Sequence, residues 1–157
     1  MSRGALRRRM AVAVLALIGL FLSLYLLLYH MGFYGALVCG VGGSCEYVQA
    51  SRFSFFLGQP VAGWGVAWYA LTLTAALVGI QPALAARRWL GTVISLLAVG
   101  GFAFSLYLTS TEVFILHAIC RWCVGSAVIV TLIFVLVAWG WGEDESAGSA
   151  EVGPAMD

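Results

Sequence analysis

Four long uncharged stretches constrain the fold of this chain more than any other feature of its sequence. The runs 10–31, 61–80, 89–110 and 124–141 contain no Asp, Glu, Lys or Arg. At about 1.5 Å per residue, about 20 apolar residues in a helix span the hydrocarbon layer of a bilayer. The chain is 62% hydrophobic and only 10% charged, which is more apolar than a soluble domain of 157 residues can bury. We therefore predict an all-α integral membrane protein.

The segments between these runs predict a four-transmembrane-helix bundle with a long outer loop between helices 1 and 2. That loop, 32–59, holds six glycines, which disfavour a continuous helix, although a short interfacial helix is expected near 46–56. A polar turn at 109–112 is expected to separate helix 3 from helix 4. Helix 4 would then begin near Val113 and carry one of the cysteine pairs.

The predicted membrane domain, 10–141, lies between two segments of different composition. A basic segment, 1–9, precedes it, and an acidic tail, 142–157, follows it. The tail is rich in Gly, Ser and Ala, so we expect it to be disordered. A basic start before an apolar run also occurs in signal peptides, but the length of the first run favours a retained helix.

The arginines predict how the chain is oriented in the membrane. Six of the eight arginines lie in segment 1–9 and in the loop between helices 2 and 3. The positive-inside rule places both segments in the cytoplasm. Four crossings then place both termini in the cytoplasm and all four cysteines at the outer face of the cell inner (cytoplasmic) membrane, where disulfides persist. The net charge of +1 provides no basic surface for nucleic acid.

Two cysteine pairs are the strongest candidates for chemistry. Cys120 and Cys123 lie about one helical turn apart, so they can close as a disulfide or open as a dithiol with little movement of the backbone. Cys39 and Cys45 flank a flexible Gly-Val-Gly-Gly-Ser segment. Structural disulfides or buried thiols are the alternative for each pair, and four cysteines allow three pairings. Two pairs at one face predict a relay in which a thiolate of one pair attacks the disulfide of the other.

Other residues near this face give weaker signals. The cysteine spacing lacks the paired pattern of a zinc site, and Val124 stands where a covalent haem motif needs His, so no metal is expected. We assign no role to His30 or His117. Arg121 either extends to the lipid headgroups or lowers the pKa of a neighbouring thiol. Aromatic side chains at the outer level offer a binding place for a flat apolar oxidant: Phe53, Phe55, Phe56, Trp64, Trp68, Phe114 and Trp122.

Four short motifs become specific when their order along the chain is considered. In chain order they are Cys39 and Cys45 six residues apart, Ser51-Arg52-Phe53, Pro-Val-x-Gly-Trp-Gly-x-x-Trp-Tyr from Pro60 to Tyr69, and Cys120-x-x-Cys123. With these motifs the chain resembles the vitamin K epoxide reductase family, in its bacterial form without a fused thioredoxin-like domain. The resemblance covers roughly 10–137.

The resemblance implies a redox relay that ends on a quinone. It makes Cys120 and Cys123 the active-site couple that reduces the quinone, with Cys123 nearest the ring. Cys39 and Cys45 become the shuttle pair, which takes electrons from a separate thioredoxin-like (DsbA-like) thiol oxidase. The electron acceptor is a membrane quinone of the menaquinone, ubiquinone or vitamin K type. Residues expected to contact it or to orient the loop beside it are Ser51, Phe53, Trp64, Trp68 and Trp122.

Two positions depart from the animal members of this family. The animal enzymes have a tyrosine where this chain has Ala127, and an asparagine where Val61 aligns. Both of those groups hydrogen-bond vitamin K, so we expect vitamin K epoxide to be at best a poor substrate. The alternatives are a vitamin K quinone or epoxide reductase, a DsbB-type quinone reductase, whose close-spaced pair lies in the first outer loop, and a membrane scaffold with structural disulfides and no turnover.

Overall fold

The computed structural model of the chain describes residues 3–33, 35–40, 44–81 and 88–150. Its α-helices are, in chain order, α1 (Arg3–His30), α2 (Cys45–Ala50), α3 (Val61–Ile80), α4 (Arg88–Ser110) and α5 (Arg121–Ala150). The shorter elements are a 3-10 turn (Arg52–Ser54), the antiparallel strands β1 (Phe55–Phe56) and β2 (Gln59–Pro60), and a π-helical turn (Thr111–Leu116).

Four of these helical segments are long and apolar enough to cross a membrane. They are Arg3–His30, Val61–Ile80, Trp89–Leu116 and Arg121–Gly140. The prediction of an all-α, multi-pass bundle with a loop between its first two spans is therefore confirmed. Large apolar side chains such as Phe21, Leu96 and Trp139 lie exposed on the outside of the bundle. This is the arrangement expected where the surrounding solvent is lipid.

The bundle is held together by close packing of α1 on α3, with α5 against both α1 and α4. Ala13 and Ala16 of α1 are buried in the core beside Tyr69 of α3 and Ile133 of α5. Small residues on α1 allow the backbones of the two helices to approach closely, which is how membrane helices gain contact where lipid tails are as apolar as the side chains. Gly19 belongs to the same stripe, and the Tyr69 ring lies directly against it.

The loop between α1 and α3 folds over one end of the bundle as a lid. Its helix α2 begins at Cys45, one residue before the start expected for the short interfacial helix, and ends well before residue 56. The β1–β2 hairpin follows, with Gly58 at a positive φ of 78° in its turn. The indole Nε1–H of Trp64 donates to the Phe56 carbonyl at 3.0 Å, which fixes the hairpin to the start of α3.

The connection between the third and fourth spans lies later in the chain than predicted. The π-helical turn extends the third span to Leu116, so the expected turn at 109–112 and the expected helix start near Val113 are both wrong. The chain reverses instead at residues 117–120, where His117 has a left-handed backbone conformation with φ 49°.

The polar residues that suggested the earlier turn are satisfied inside the helix. The Ser110 hydroxyl donates to the Leu106 carbonyl at 2.7 Å, and the Thr111 hydroxyl donates to the Leu108 carbonyl at 2.7 Å. Hydroxyls that bond back to the preceding turn do not end a helix. Four adjacent polar side chains, at 109–112, therefore gave a misleading turn signal.

The first and last helices extend beyond the membrane domain predicted for residues 10–141. Helix α1 begins at Arg3, so most of the basic segment is helical. Helix α5 continues to Ala150, past the expected start of a disordered tail at residue 142. Residues 151–157, like Arg87 in the loop between the second and third spans, lie outside the described residues.

The contact between Gly19 and Tyr69 yields a prediction about stability. A Cβ at position 19 would overlap the Tyr69 ring, so we expect Gly19→Ala to destabilise the bundle by about 1–3 kcal/mol. Gly91 of α4 has no atom within 4 Å of the corresponding position. The control Gly91→Ala should therefore be neutral or stabilising by up to about 1 kcal/mol. Unfolding midpoints in detergent measure both, and equal effects of the two changes would contradict the packing.

Candidate functional site

Cys39 and Cys45 form a disulfide in the lid. Their sulfurs are 2.07 Å apart and their Cα atoms 6.0 Å apart. Cys45, at the start of α2, is fully buried, whereas Cys39 is partly exposed. The structure thus contains a disulfide within the loop, and Cys39 is the more exposed of its two residues.

Cys120 and Cys123 are free thiols at the start of α5. The Val124 N–H donates to the Cys120 carbonyl at 3.0 Å, so Cys120 is the residue that precedes the first helical turn. The Cys123 N–H points at the Cys120 sulfur, 3.4 Å away. A sulfur at a helix N-terminus faces unsatisfied N–H groups and the positive end of the helix dipole, and both favour a thiolate.

The protonation of Cys120 is set by its partner thiol. Hydrogen bonding from the Cys123 side chain lowers the pKa of Cys120 to about 7, with a smaller contribution from the Cys123 backbone N–H, while burial and the Glu112 carboxyl oppose the shift. About half of the Cys120 thiol is therefore ionised near neutral pH. A thiolate at this position is a competent nucleophile and also a good leaving group.

Gln49 joins the lid to this couple. It lies in α2 one helical turn after Cys45, and its Nε2 donates toward the sulfur of Cys123 at 3.6 Å and that of Cys120 at 3.9 Å. His30 at the end of α1 bonds the Gln49 Oε1 through its Nε2 at 2.8 Å. With His30 as donor, the oxygen of the amide is occupied and its NH₂ group faces the two sulfurs.

Glu112 lies on the other side of the couple. The Cys120 N–H donates to its Oε2 at 3.2 Å, and the residue is only 7% exposed. Neither Glu112 nor Gln49 is among the predicted site residues, because Glu112 lies in the predicted polar turn at 109–112 and Gln49 in the predicted interfacial helix near 46–56. A sequence signal did exist for Glu112, since a lone carboxylate between apolar runs of a membrane protein is by default a functional candidate.

An apolar cavity of about 310 Å³ opens beside Cys123, between the lid and the membrane helices. Cavities of this size, with mostly apolar walls and few polar groups, are typical of sites for small organic molecules. Cys123 lines the cavity, and Cys120 does not. Ser126, one helical turn beyond Cys123 in α5, bonds the Tyr69 hydroxyl at 2.9 Å in the same wall.

A sequence model of the Vitamin K epoxide reductase family matches residues 10–138, which is most of the chain. The chain belongs to this family. Family membership and the two cysteine pairs together indicate a thiol–disulfide and quinone oxidoreductase of the vitamin K epoxide reductase type, with a quinone as the general class of substrate.

Most of the residues predicted to contact the quinone line this cavity. Ser51, Phe53, Trp64 and Trp68 all line it. The Ser51 hydroxyl donates to the Val48 carbonyl at 2.6 Å and so also shapes the end of α2. Trp68 donates its indole N–H to the Leu97 carbonyl at 3.0 Å, so its polar atom is occupied while its side chain forms part of the cavity wall. These assignments remain predictions, but the four side chains do meet at one place.

Trp122 is the exception among the predicted contacts. Its ring packs on Tyr25 with centroids 5.1 Å apart, and its Nε1–H donates to the Val38 carbonyl at 3.2 Å. It therefore anchors the lid and does not line the cavity, because its ring packs on α1 and its indole N–H is bonded to the lid. Arg121 also ties α5 to the lid, because its guanidinium donates to the Cys39 carbonyl at 3.4 Å.

The hydrogen bond between the two thiols yields a prediction about pH. Replacing Cys123 by Ala removes the side-chain donor that lowers the pKa of Cys120, so the Cys120 pKa should rise from about 7 toward the ordinary thiol value of about 8.5. Cys123→Ser keeps a donor and should keep the low pKa. Ultraviolet titration of the thiolate, with Cys120→Ser as the blank, measures this. Identical titration curves for the Ala and Ser variants would refute the assignment.

Proposed function

We propose that this protein passes electrons from a separate thioredoxin-like (DsbA-like) thiol oxidase through its two cysteine pairs to a membrane quinone, and thereby supports disulfide-bond formation. The observation that carries the proposal is the distribution of oxidation states. The lid pair is a disulfide, the helix pair is a dithiol, and one thiol of that dithiol opens into an apolar cavity. This is the state in which the couple is loaded with two electrons and ready to reduce a quinone.

The first step takes place at the lid. Cys39 is the accessible sulfur of the disulfide, so a thiolate of the partner attacks Cys39 and releases Cys45 as a thiolate. The second thiol of the partner then attacks its own mixed disulfide and frees Cys39. The partner leaves as a disulfide, and both electrons are now on the lid pair.

The second step carries the electrons to the couple. Cys45 and Cys120 belong to one buried cluster and are both 0% exposed, so exchange between them takes place away from water. Cys45 attacks Cys120 of the oxidised couple and releases Cys123 as a thiolate. Cys39 then attacks Cys45, which restores the lid disulfide and releases Cys120. The low pKa of Cys120 favours this release, because a thiol with a lower pKa leaves faster.

The quinone receives the electrons in the cavity. Cys123 is the thiol that faces the cavity, and aromatic rings form much of the wall beside it. Closure of the Cys120–Cys123 disulfide provides two electrons for reduction to the hydroquinone. Val61 and Ala127 also line the cavity, so apolar side chains stand where the animal enzymes hydrogen-bond vitamin K. This supports our expectation that vitamin K epoxide is at best a poor substrate.

The proposal uses the membrane orientation that the arginine distribution predicts. Both termini would be cytoplasmic, and the lid and its cysteines would face the oxidising side of the cell inner membrane. A membrane quinone that respiration keeps oxidised is a suitable electron sink there. The two free thiols support a redox function over a scaffold whose cysteines serve only as structural disulfides.

The relay predicts two properties of Cys123→Ala. Wild-type protein in the state of the structure should lose its two free thiols when a soluble short-chain quinone is added, whereas the variant should lose none to the quinone. In the variant, the Cys120 thiolate should instead attack Cys45 of the lid disulfide and release Cys39 as a thiolate. The Cys45–Cys120 disulfide formed in this way should accumulate and be visible as a cross-linked peptide by mass spectrometry under non-reducing conditions.

The matched control is Cys120→Ala, which leaves Cys123 facing the cavity and should give no link to Cys45. A Cys39–Cys120 link in the Cys123→Ala protein would reverse the order of the lid pair. If wild-type protein keeps both thiols in the presence of quinone, the proposed function is wrong.

The orientation is tested by labelling single cysteines in a cysteine-free background. A cysteine at Gly35 in the lid should react with a membrane-impermeant maleimide on cells with a permeable outer envelope. A cysteine at Gln81, at the opposite end of α3, should react only after the membrane is opened. The reverse pattern would overturn the cytoplasmic placement of the termini.

A further inference from the structure

The buried carboxyl of Glu112 has a position that its backbone contact alone does not explain. One of its oxygens accepts the Cys120 N–H, and the side chain lines the cavity. The Glu112 carboxyl interacts electrostatically with the thiol of Cys123, which lines the same cavity. Among the described residues around the cavity it is the only carboxylate. A neutral amide would accept the same N–H bond at a far lower cost of burial, so the structural contact does not require an ionisable group.

Quinone reduction creates a need for a proton carrier at this place. Conversion to a hydroquinone requires two protons on the ring oxygens as well as two electrons. The lowered pKa of Cys120 favours its thiolate form, so this residue is poorly suited to deliver a proton. The cavity wall is mainly apolar, so a donor that belongs to the wall has an advantage over bulk water.

The other titratable groups around the couple are less suitable. The Tyr69 hydroxyl of α3 is hydrogen-bonded to Ser126, which lies one helical turn beyond Cys123 in α5. His30 of α1 is separated from the sulfurs by Gln49, whose amide does not titrate. Cys120 at the start of α5 provides the attacking thiolate. Glu112 of the π-helical turn is therefore the group that both titrates and faces Cys123.

We propose that Glu112 carries a proton from the Cys123 thiol to the quinone oxygen, while Gln49 holds the Cys123 sulfur in place. This inference rests on the proposed function and adds a residue to it. In the resting form the shared proton lies on the Cys123 sulfur, and in the reactive form it has moved to Glu112, which leaves Cys123 as the thiolate. Gln49 donates to that thiolate from the lid side and is a positioning residue.

The S–H bond of Cys123 breaks, and its proton passes to Glu112 and then to one quinone oxygen. A sulfur–sulfur bond forms between Cys120 and Cys123, and the two sulfurs together lose two electrons, which reduce the quinone. The second oxygen takes a proton from the medium, equal in number to the one that Cys120 released earlier. The products are the Cys120–Cys123 disulfide and the hydroquinone.

The test is a single-turnover measurement with Glu112→Gln. This variant keeps an oxygen for the Cys120 N–H and removes the proton carrier. Full-length protein with a reduced couple is mixed with a soluble short-chain quinone, and hydroquinone formation is followed over a range of pH. Wild type should show a bell-shaped rate profile, because both the thiolate and the acid are needed. Glu112→Gln should be slower by on the order of 100-fold near neutral pH and should lose the limb that falls at high pH.

Three comparisons separate this role from a structural one. Glu112→Asp retains a carboxylic acid and should regain part of the rate and the bell-shaped profile. Glu46→Gln makes the same chemical change on the lid and should match wild type. Reduction of the Cys120–Cys123 disulfide by dithiothreitol needs no quinone and should proceed equally in Glu112→Gln and wild type.

A wild-type rate and pH profile in Glu112→Gln would overturn the inference, and so would an equal slowing of the dithiothreitol step. Either result leaves the proposed function standing as long as wild-type protein still oxidises its couple with quinone. Failure of wild-type protein itself to react with quinone would remove the proposed function instead.

Discussion

The bond between the Glu112 side chain and the Cys120 backbone sets the position of everything else at this end of the bundle. The chain must break between its third and fourth spans, and N–H and C=O groups freed near lipid have no water to satisfy them. Glu112 serves this break twice, because its carbonyl accepts the Ala118 N–H at 3.2 Å and its carboxyl accepts the Cys120 N–H at 3.2 Å. The tight reversal through His117 then places Cys120 immediately before α5.

The start of α5 gives the two thiols different surroundings. Cys120, ahead of the helix, lies in the buried cluster that also contains Cys45. Cys123, one turn into the helix, faces the apolar cavity. A spacing of three residues thus separates the sulfur suited to exchange with the lid from the sulfur suited to meet a hydrophobic oxidant, while the two remain close enough to hydrogen-bond.

In the proposed relay, the lid must hold its disulfide near the couple and still allow the sulfurs to exchange. Polar contacts to loop carbonyls tie it to α5, from Arg121 to Cys39 at 3.4 Å and from Trp122 to Val38 at 3.2 Å. Bonds of this length and exposure contribute little individually and open easily. The inner side of the lid is packed more firmly, because Val48 and Gln49 of α2 are buried. The lid therefore has a fixed side against the couple and a more loosely held side on which the proposed partner would act.

The sequence by itself determined the membrane class, the four spans, the two cysteine pairs and the family, because long uncharged runs and fixed spacings are properties of the linear chain. Only the tertiary structure decided the pairing of Cys39 with Cys45, the late start of α5 and the place of Trp122 outside the cavity. It also revealed Gln49 and Glu112 beside the sulfurs. Their importance arises from contacts between elements distant in sequence. A lone amide or carboxylate in a polar segment looks the same whether it faces solvent or a buried thiol, and only packing distinguishes the two.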